Sequence, residues 1–582
     1  MKKALTIAIL GLVLLGTIAI IPQRASAATS SDWTVLDIDL TKVSKVPGNI
    51  VYPVKFGTKY GRAGHTIELI TGEGLRITSE YGADTLIIGV TGFLPVPECK
   101  IIIRAKFEST ADESGSTYFW FHYGGTITTA KALGGPTLAI QKSSTGRVMC
   151  YIDSSAYVKN TTTDYYDGKV HTITIDYSAI KHKYNLSIDG NVVLSNVQEY
   201  NIPDDTYPVN FILSTMYIQP FITVDGYTQT FTLVEVKQVI KRSTITVLPK
   251  RVIGLSFDEI VNTTIGWSSF DDLDKFNVTS DLKAVGGKAT LFTHLGTAQT
   301  PSVAWPSKDS TVYTVSFHEY YDLTTLTQTA AEENITKAFT NYYNKYGRYP
   351  GVWCALSNGI NSSHIKYTWS NYQSLARNYL FAFLFKEDLF TQTPYGVNTI
   401  DDYMSNYFDS GAVNTIAFTA YTHDVNTTTG DYKTSVSGWK TFYNWTKKYD
   451  YKIVDLETFY SILKNQVNAY FDIQKNENGV IEFVAHTNGA PAYVNVNFHG
   501  SNIKVVDLTT GKEVKWYEGS VEFWVEDGHT YKVYSLLQEA INTGISLVNI
   551  YITFFIVMMV LAIVLSFGKS AMNSVTKAVS KI

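Results

Sequence analysis

The chain is poor in cysteine, poor in charge, and without a basic cluster ahead of its last residues. Three cysteines in 582 residues, Cys99, Cys150 and Cys354, are too few for disulfides to be the main support of an exported protein. Cys99 and Cys150 could pair within a first domain, leaving Cys354 alone, but sequence does not give the separation that decides it. Charged residues make up 17%, below the roughly 25% usual for soluble domains. A net charge of −4 without a basic patch argues against nucleic acid as a partner. Internal repeats and low-complexity tracts are also missing. What fills the gap is aromatic: 14% of the chain, with 40 Tyr, a bias that suits strands.

The two ends carry membrane signals. Lys2 and Lys3, the apolar run Ala4 to Ile21 and the small triplet Ala25-Ser26-Ala27 read as a secretory signal cut after Ala27. Ile545 to Phe567 runs 23 residues without a charge, enough at ~1.5 Å per residue to cross a ~30 Å hydrocarbon core. Lys569, Lys577 and Lys581 follow it, while Glu522, Glu526, Asp527 and Glu539 precede it, so the short tail is expected in the cytoplasm. The competing reading of this run is a buried core helix. Eight Asn-x-Ser/Thr sequons, at Asn160, Asn185, Asn262, Asn277, Asn334, Asn361, Asn426 and Asn444, permit glycosylation.

A chain of this length needs roughly three or four cores. From about Asp32 to Arg242 short β-type runs alternate with Gly, Pro, Asn and Asp, with no helical period. Asp189-Gly190 between Tyr184–Ile188 and Asn191–Leu194 predicts a two-residue hairpin. From about Thr246 to Asp472 strand-like runs alternate with helical ones, the pattern of an α/β domain with parallel strands. Ala330 to Lys345 predicts a helix, with Gly347 as its stop. Gly479 to Leu536 returns to β alternation. The expected organisation is a multidomain chain: signal at 1–27, all-β sandwich over 28–242, α/β domain over 245–475, small β-domain over 476–536, single transmembrane helix over 545–567 and cytoplasmic tail over 568–582.

In parallel α/β domains ligands sit beyond the carboxyl ends of the strands, so polar residues closing apolar runs are the first site candidates. Leu255-Ser256-Phe257 ends in Asp258-Glu259, Tyr313 to Phe317 ends in His318 with Asp322 beyond it, and Ile416 to Thr422 ends in His423-Asp424. Carboxylates and two imidazoles at strand tips are the inventory of a hydrolytic metal site. Each also has a plain structural role open to it: a solvated strand end for Asp258 and Glu259, a hydrogen-bonded loop for His318, a turn for His423, and a helix N-cap for Asp322.

These residues carry a family resemblance. Leu255-Ser256-Phe257-Asp258-Glu259, Ala289-Thr290-Leu291-Phe292, His318-Glu319-Tyr320-Tyr321-Asp322, Gly347-Arg348-Tyr349-Pro350 with Trp353, His423-Asp424 and Lys452 to Leu456 stand in the order of the polysaccharide deacetylase (NodB-homology) motifs. The resemblance implies a distorted (β/α) barrel of NodB type. It also implies Asp258 as general base, His423 as the acid that protonates the leaving amine, and Glu259, His318 and Asp322 as ligands of a divalent metal, zinc or manganese. Glu259 and Asp322 replace the family's Asp and His, and Cys354 stands where the family has the Arg that orients the base. The His171-to-Leu194 segment resembles, more weakly, the concanavalin or laminin-G jelly rolls.

Together these readings imply a single-pass protein of a cell surface or virion envelope, archaeal or viral in texture. Its expected partners are a membrane and a glycan or envelope polysaccharide. Its expected function is metal-dependent deacetylation of N- or O-acetylated glycans; the rival is a non-catalytic surface glycoprotein that keeps a degenerate deacetylase fold for glycan binding or adhesion.

Overall fold

The computed structural model describes residues 31–580 apart from 48, 56–64, 81–85, 95, 111–116, 124–136, 143–146, 153–154, 162, 179–182, 199–214, 223–225, 259–269, 295–310, 320–321, 356–359, 377–381, 385–416, 428–432, 478 and 518–519. The expected signal sequence, Glu259 and the sequon at Asn262 lie outside the described residues. Residues 31–242 and 247–469 belong to one compact unit, and residues 243–246 and 470–580 to a second.

The first unit begins with two antiparallel sheets, of eight and seven strands. Thr228–Arg242 runs through the larger one. It pairs with Glu98–Ser109 on one side, and on the other with Gly74–Glu80 and then Ser31–Asp39. The last strand thus zips the first into the same ladder, and the all-β region closes on itself. Val170–Ser178 buries His171, Ile173, Ile175 and Tyr177 on one face, the period-2 pattern of a half-buried strand. The predicted hairpin forms: Asp189 and Gly190 take φ of 51° and 79°, as a two-residue turn of this kind requires.

The possible Cys99–Cys150 pairing falls on Cys150, whose side chain lies outside the described residues. Cys99 is buried. It lies in Glu98–Ser109 of the larger sheet, whereas Cys150 lies in Arg147–Ile152 of the smaller.

The rest of this unit is a parallel sheet with helices. Its strand order is Tyr313–His318, Ala289–His294, Val252–Phe257, Phe418–Thr422, Ala382–Leu384. Lys452–Val454 pairs with the first residues of Val252–Phe257, leaving Ala289–His294 to pair with its last two. A further parallel pair, Val352–Trp353 with Leu375–Ala376, connects to the sheet through a bridge between His318 and Cys354. Among the described residues these strands form an open series, and no pairing closes it into a ring.

Caps written in the sequence set the helices. Thr327 accepts from the Ala330 amide to start Gln328–Tyr346, and Gly347 ends it at φ 68°. Asn361 and His364 form a capping box on Ser362–Tyr372, Ser435 starts Val436–Lys448 and Asp455 starts Leu456–Asn468. The last of these lies so close to the sheet that a Cβ on Gly254 would come within 2.8 Å of the Phe459 ring. Among the described residues three sequon asparagines use their side chains in the fold: Asn185 accepts from the Asn196 amide at 2.7 Å, Asn361 caps a helix, and Asn426 donates its amide to Asp272 at 3.1 Å.

The second unit holds a five-stranded antiparallel sheet in the order Tyr470–Glu477, Val480–His486, Thr530–Ser535, Ile503–Asp507, Lys512–Glu513. A three-stranded sheet joins Ile245–Val247, Ala492–Val496 and Val521–Val525. Ser535 then passes directly into the helix Leu536–Val579. This helix is long and apolar enough to cross a membrane over Thr543–Lys577, and none of that apolar window is buried. Phe555, Leu565 and their neighbours point outwards, which overturns the reading of the run as a buried core helix.

Candidate functional site

The site is assembled by parallel register. Val252–Phe257 is buried along its whole length, as a strand covered on both faces must be. Because its neighbours run parallel to it, their carboxyl ends open on the same edge of the sheet. Asp258 follows this strand, and its amide donates to the Thr422 carbonyl at 2.9 Å. That bond fixes Asp258 beside the end of Phe418–Thr422, where His423 comes next in the chain.

His318 closes the Tyr313–His318 strand, and Cys354 is brought to it by two backbone bonds. The Cys354 amide donates to Phe317 O at 3.0 Å, and the Glu319 amide donates to Cys354 O at 2.7 Å. Behind them aromatic rings hold the strands in place. Trp353, fully buried, stacks on Phe317 with centroids 5.8 Å apart and planes at 27°. Phe339 packs edge-on against both Phe317 and Trp353 and stacks on Tyr372 at 4.0 Å. Tyr342 donates its hydroxyl to Val315 O at 2.7 Å, and burial pushes that phenol up to about 12, so it stays a donor.

Asp258, His318 and Cys354 meet. They are 1%, 4% and 0% exposed, and one donor atom from each lies within 4.8 Å of the other two. Cys354 Sγ stands 3.9 Å from Asp258 Oδ2, and Ser256 Oγ donates to Asp258 Oδ1 at 3.3 Å. His318 Nδ1 lies 2.7 Å from the Glu319 carbonyl. A carbonyl only accepts, so Nδ1 carries the proton in this contact. A carboxylate, an imidazole and a thiol at this spacing suit a divalent cation.

The expected residues divide into three groups. Asp258 and His318 come together, and His423, 9% exposed, follows the adjacent strand end. Glu259 lies outside the described residues. Asp322 is placed as a cap: its Oδ1 accepts from the Thr324 amide at 3.0 Å and the Thr324 hydroxyl at 2.5 Å, starting the short helix Leu323–Thr325. It is not among the described residues gathered with His318, because its own backbone turn takes up the carboxylate.

Cys354 takes part where Asp322 was expected. The sequence held little signal for it, since the apolar run Val352-Trp353-Cys354 continues into Ala355-Leu356 and no polar residue marks Cys354 as a strand end. Its thiol also reaches the carboxylate that the family's arginine would orient, so the replacement does not leave Asp258 without a partner.

No family model matches the chain, and no curated protein matches it. Among solved structures, it is similar to an endo-acting O-glycanase of the human gut microbiota at 10% identity and a TM-score of 0.28, over 36% of this chain and 99% of that one. A carbohydrate esterase of a Shiga toxin-encoding bacteriophage is similar at 13% identity and a TM-score of 0.25, over 36% of this chain and 100% of that one. A mixed-linkage glucan enzyme of Bacteroides ovatus is similar at 15% identity and a TM-score of 0.26, over 35% of this chain and 99% of that one. At these values the likenesses assign neither a family nor an activity to this chain.

Proposed function

We propose that the chain is a membrane-anchored surface protein whose α/β region is a hydrolase of the deacetylase type, acting on acetylated glycans outside the cell. The observation that carries this reading is the meeting of Asp258 and His318 at the carboxyl edge of a parallel sheet, with His423 closing the neighbouring strand. Those are three of the positions at which the chain resembles polysaccharide deacetylases.

The chain's own groups divide the work. A carboxylate at the end of Val252–Phe257 takes the proton of an attacking water, and His423 returns a proton to the leaving amine or alcohol. With His318 Nδ1 against the Glu319 carbonyl, Nε2 would be the nitrogen that ligates a cation. A divalent metal there, zinc or manganese, supplies Lewis acidity to the acetyl carbonyl. The helix Leu536–Val579 keeps the catalytic region near its polymer by crossing the membrane.

Acetate release from acetylated xylan and from chitooligosaccharides by the full chain in detergent tests the reading. Release that is lost in His318→Ala and His423→Ala is the expected result; no acetate from either polymer sinks it. The capping role of Asp322 favours a second reading, a glycan-binding scaffold that has left catalysis behind. On that reading the same polymers are retained by the chain without loss of acetate.

A further inference from the structure

We infer that Asp258, His318 and Cys354 form a thiolate-bearing cation site that prefers zinc. This deepens the hydrolase reading of the same pocket and rests on it for the chemistry, while its own footing is geometric. An oxygen, a nitrogen and a sulfur donor, drawn from three strand ends, lie within 4.8 Å of one another in a buried setting. Around a tetrahedral zinc with bonds of about 2.0 to 2.3 Å, neighbouring donors stand roughly 3.3 to 3.7 Å apart. Cys354 Sγ and Asp258 Oδ2, at 3.9 Å, are within a few tenths of an ångström of that spacing. Rotation of short side chains on fixed strand ends closes the difference.

The sulfur decides the metal. Thiolate ligands favour zinc, whereas oxygen-rich sets suit manganese or magnesium. The set expected from sequence, Glu259, His318 and Asp322, leans towards oxygen. Exchange of Asp322 for Cys354 reverses the lean. Three protein donors also leave the fourth tetrahedral position to water or substrate, the arrangement of a catalytic zinc and not of a structural one. Asp258 is then a ligand, and this assignment takes the place of the proton-accepting role proposed above for the carboxylate at that strand end.

Cobalt(II) reads the ligands directly, because a thiolate bound to cobalt absorbs intensely in the near ultraviolet while oxygen and nitrogen ligands do not. The full chain in detergent, stripped with a chelator and titrated with cobalt, is expected to take up about one ion with that absorption. Cys354→Ser is expected to lose the band and to weaken zinc binding by more than the roughly 10- to 100-fold seen when only a supporting partner is lost. His318→Ala is expected to weaken zinc to a similar extent. Cobalt bound without the band, a band unchanged in Cys354→Ser, or no cobalt bound at all overturns the site. Acetate release, measured on the same samples, separates the two claims. A thiolate-bound ion without acetate release keeps the site and removes the deacetylase, and acetate release with full metal content in Cys354→Ser removes only the thiolate ligand.

Discussion

His318 and Cys354 are joined by a parallel backbone bridge, so the imidazole and the thiol share one register although a long helix separates them in the chain. The wall behind that bridge is Trp353, stacked on Phe317 and packed by Phe339.

Trp353→Ala therefore disturbs the site without touching a donor atom. Removing a fully buried tryptophan costs about 3 to 5 kcal/mol, and here the loss falls on the residue next to Cys354. The cobalt charge-transfer band should weaken in Trp353→Ala and be largely retained in Trp353→Phe, read by absorption alongside thermal melting.

Asp322→Ala separates a cap from a ligand. Loss of an N-cap side chain costs about 0.5 to 2 kcal/mol, and the Asp322 carboxylate is already spent on Thr324. Zinc content should stay at the level of the unchanged chain, while melting falls by a few degrees. Asp322→Asn, which keeps an accepting oxygen, should melt close to the parent. Zinc lost on either substitution speaks for the ligand set expected from sequence.

How far the sequence could be read shows in these residues. Caps and turns are local, so Thr327, Gly347 and Asp189-Gly190 announce their structures within a few residues. The ends of apolar runs likewise mark Asp258, His318 and His423 as strand-end polar residues, and Asp258 and His318 lie together. What pairs with what across the sheet is a matter of register between strands far apart in the chain, and this is why Cys354 was read as a lost arginine and not as a neighbour of Asp258. For Asp322 the sequence offers both a ligand and an N-cap, and its carboxylate caps through Thr324, two residues away, because that bond is local.

Acid should loosen the all-β region through Asp167. Burial alone would raise this carboxyl, but hydrogen bonds from the Lys169 side chain and backbone and from His171 outweigh it and hold Asp167 at about 2, below its ordinary 3.8. A carboxyl lowered by folding stabilises the fold above its unfolded value, and that contribution is lost as pH falls through the folded one. Amide protection factors in Val170–Ser178 should thus drop between about pH 4 and about pH 2, and drop less in Asp167→Asn. Equal curves for the two chains count against the assignment.

The apolar helix makes a fourth prediction. Each arginine at the centre of a membrane helix costs about 2.5 to 3.5 kcal/mol on insertion scales. The parent chain should stay in the membrane pellet through alkaline carbonate, whereas Val560→Arg with Leu561→Arg, both in the exposed apolar window, should move it to the supernatant. A parent chain extracted by carbonate is not anchored by this helix.

The last strand of the second unit gives way to that helix with no residue between them, and Lys532 on the strand reaches back to Glu539 on the first helical turns at 2.6 Å. A junction of this kind works as a welded joint and not as a tether. If this helix crosses a bilayer, a lean or rotation imposed on it would pass to the five-stranded sheet that leads into it, and bilayer thickness would then bear on how that sheet is held.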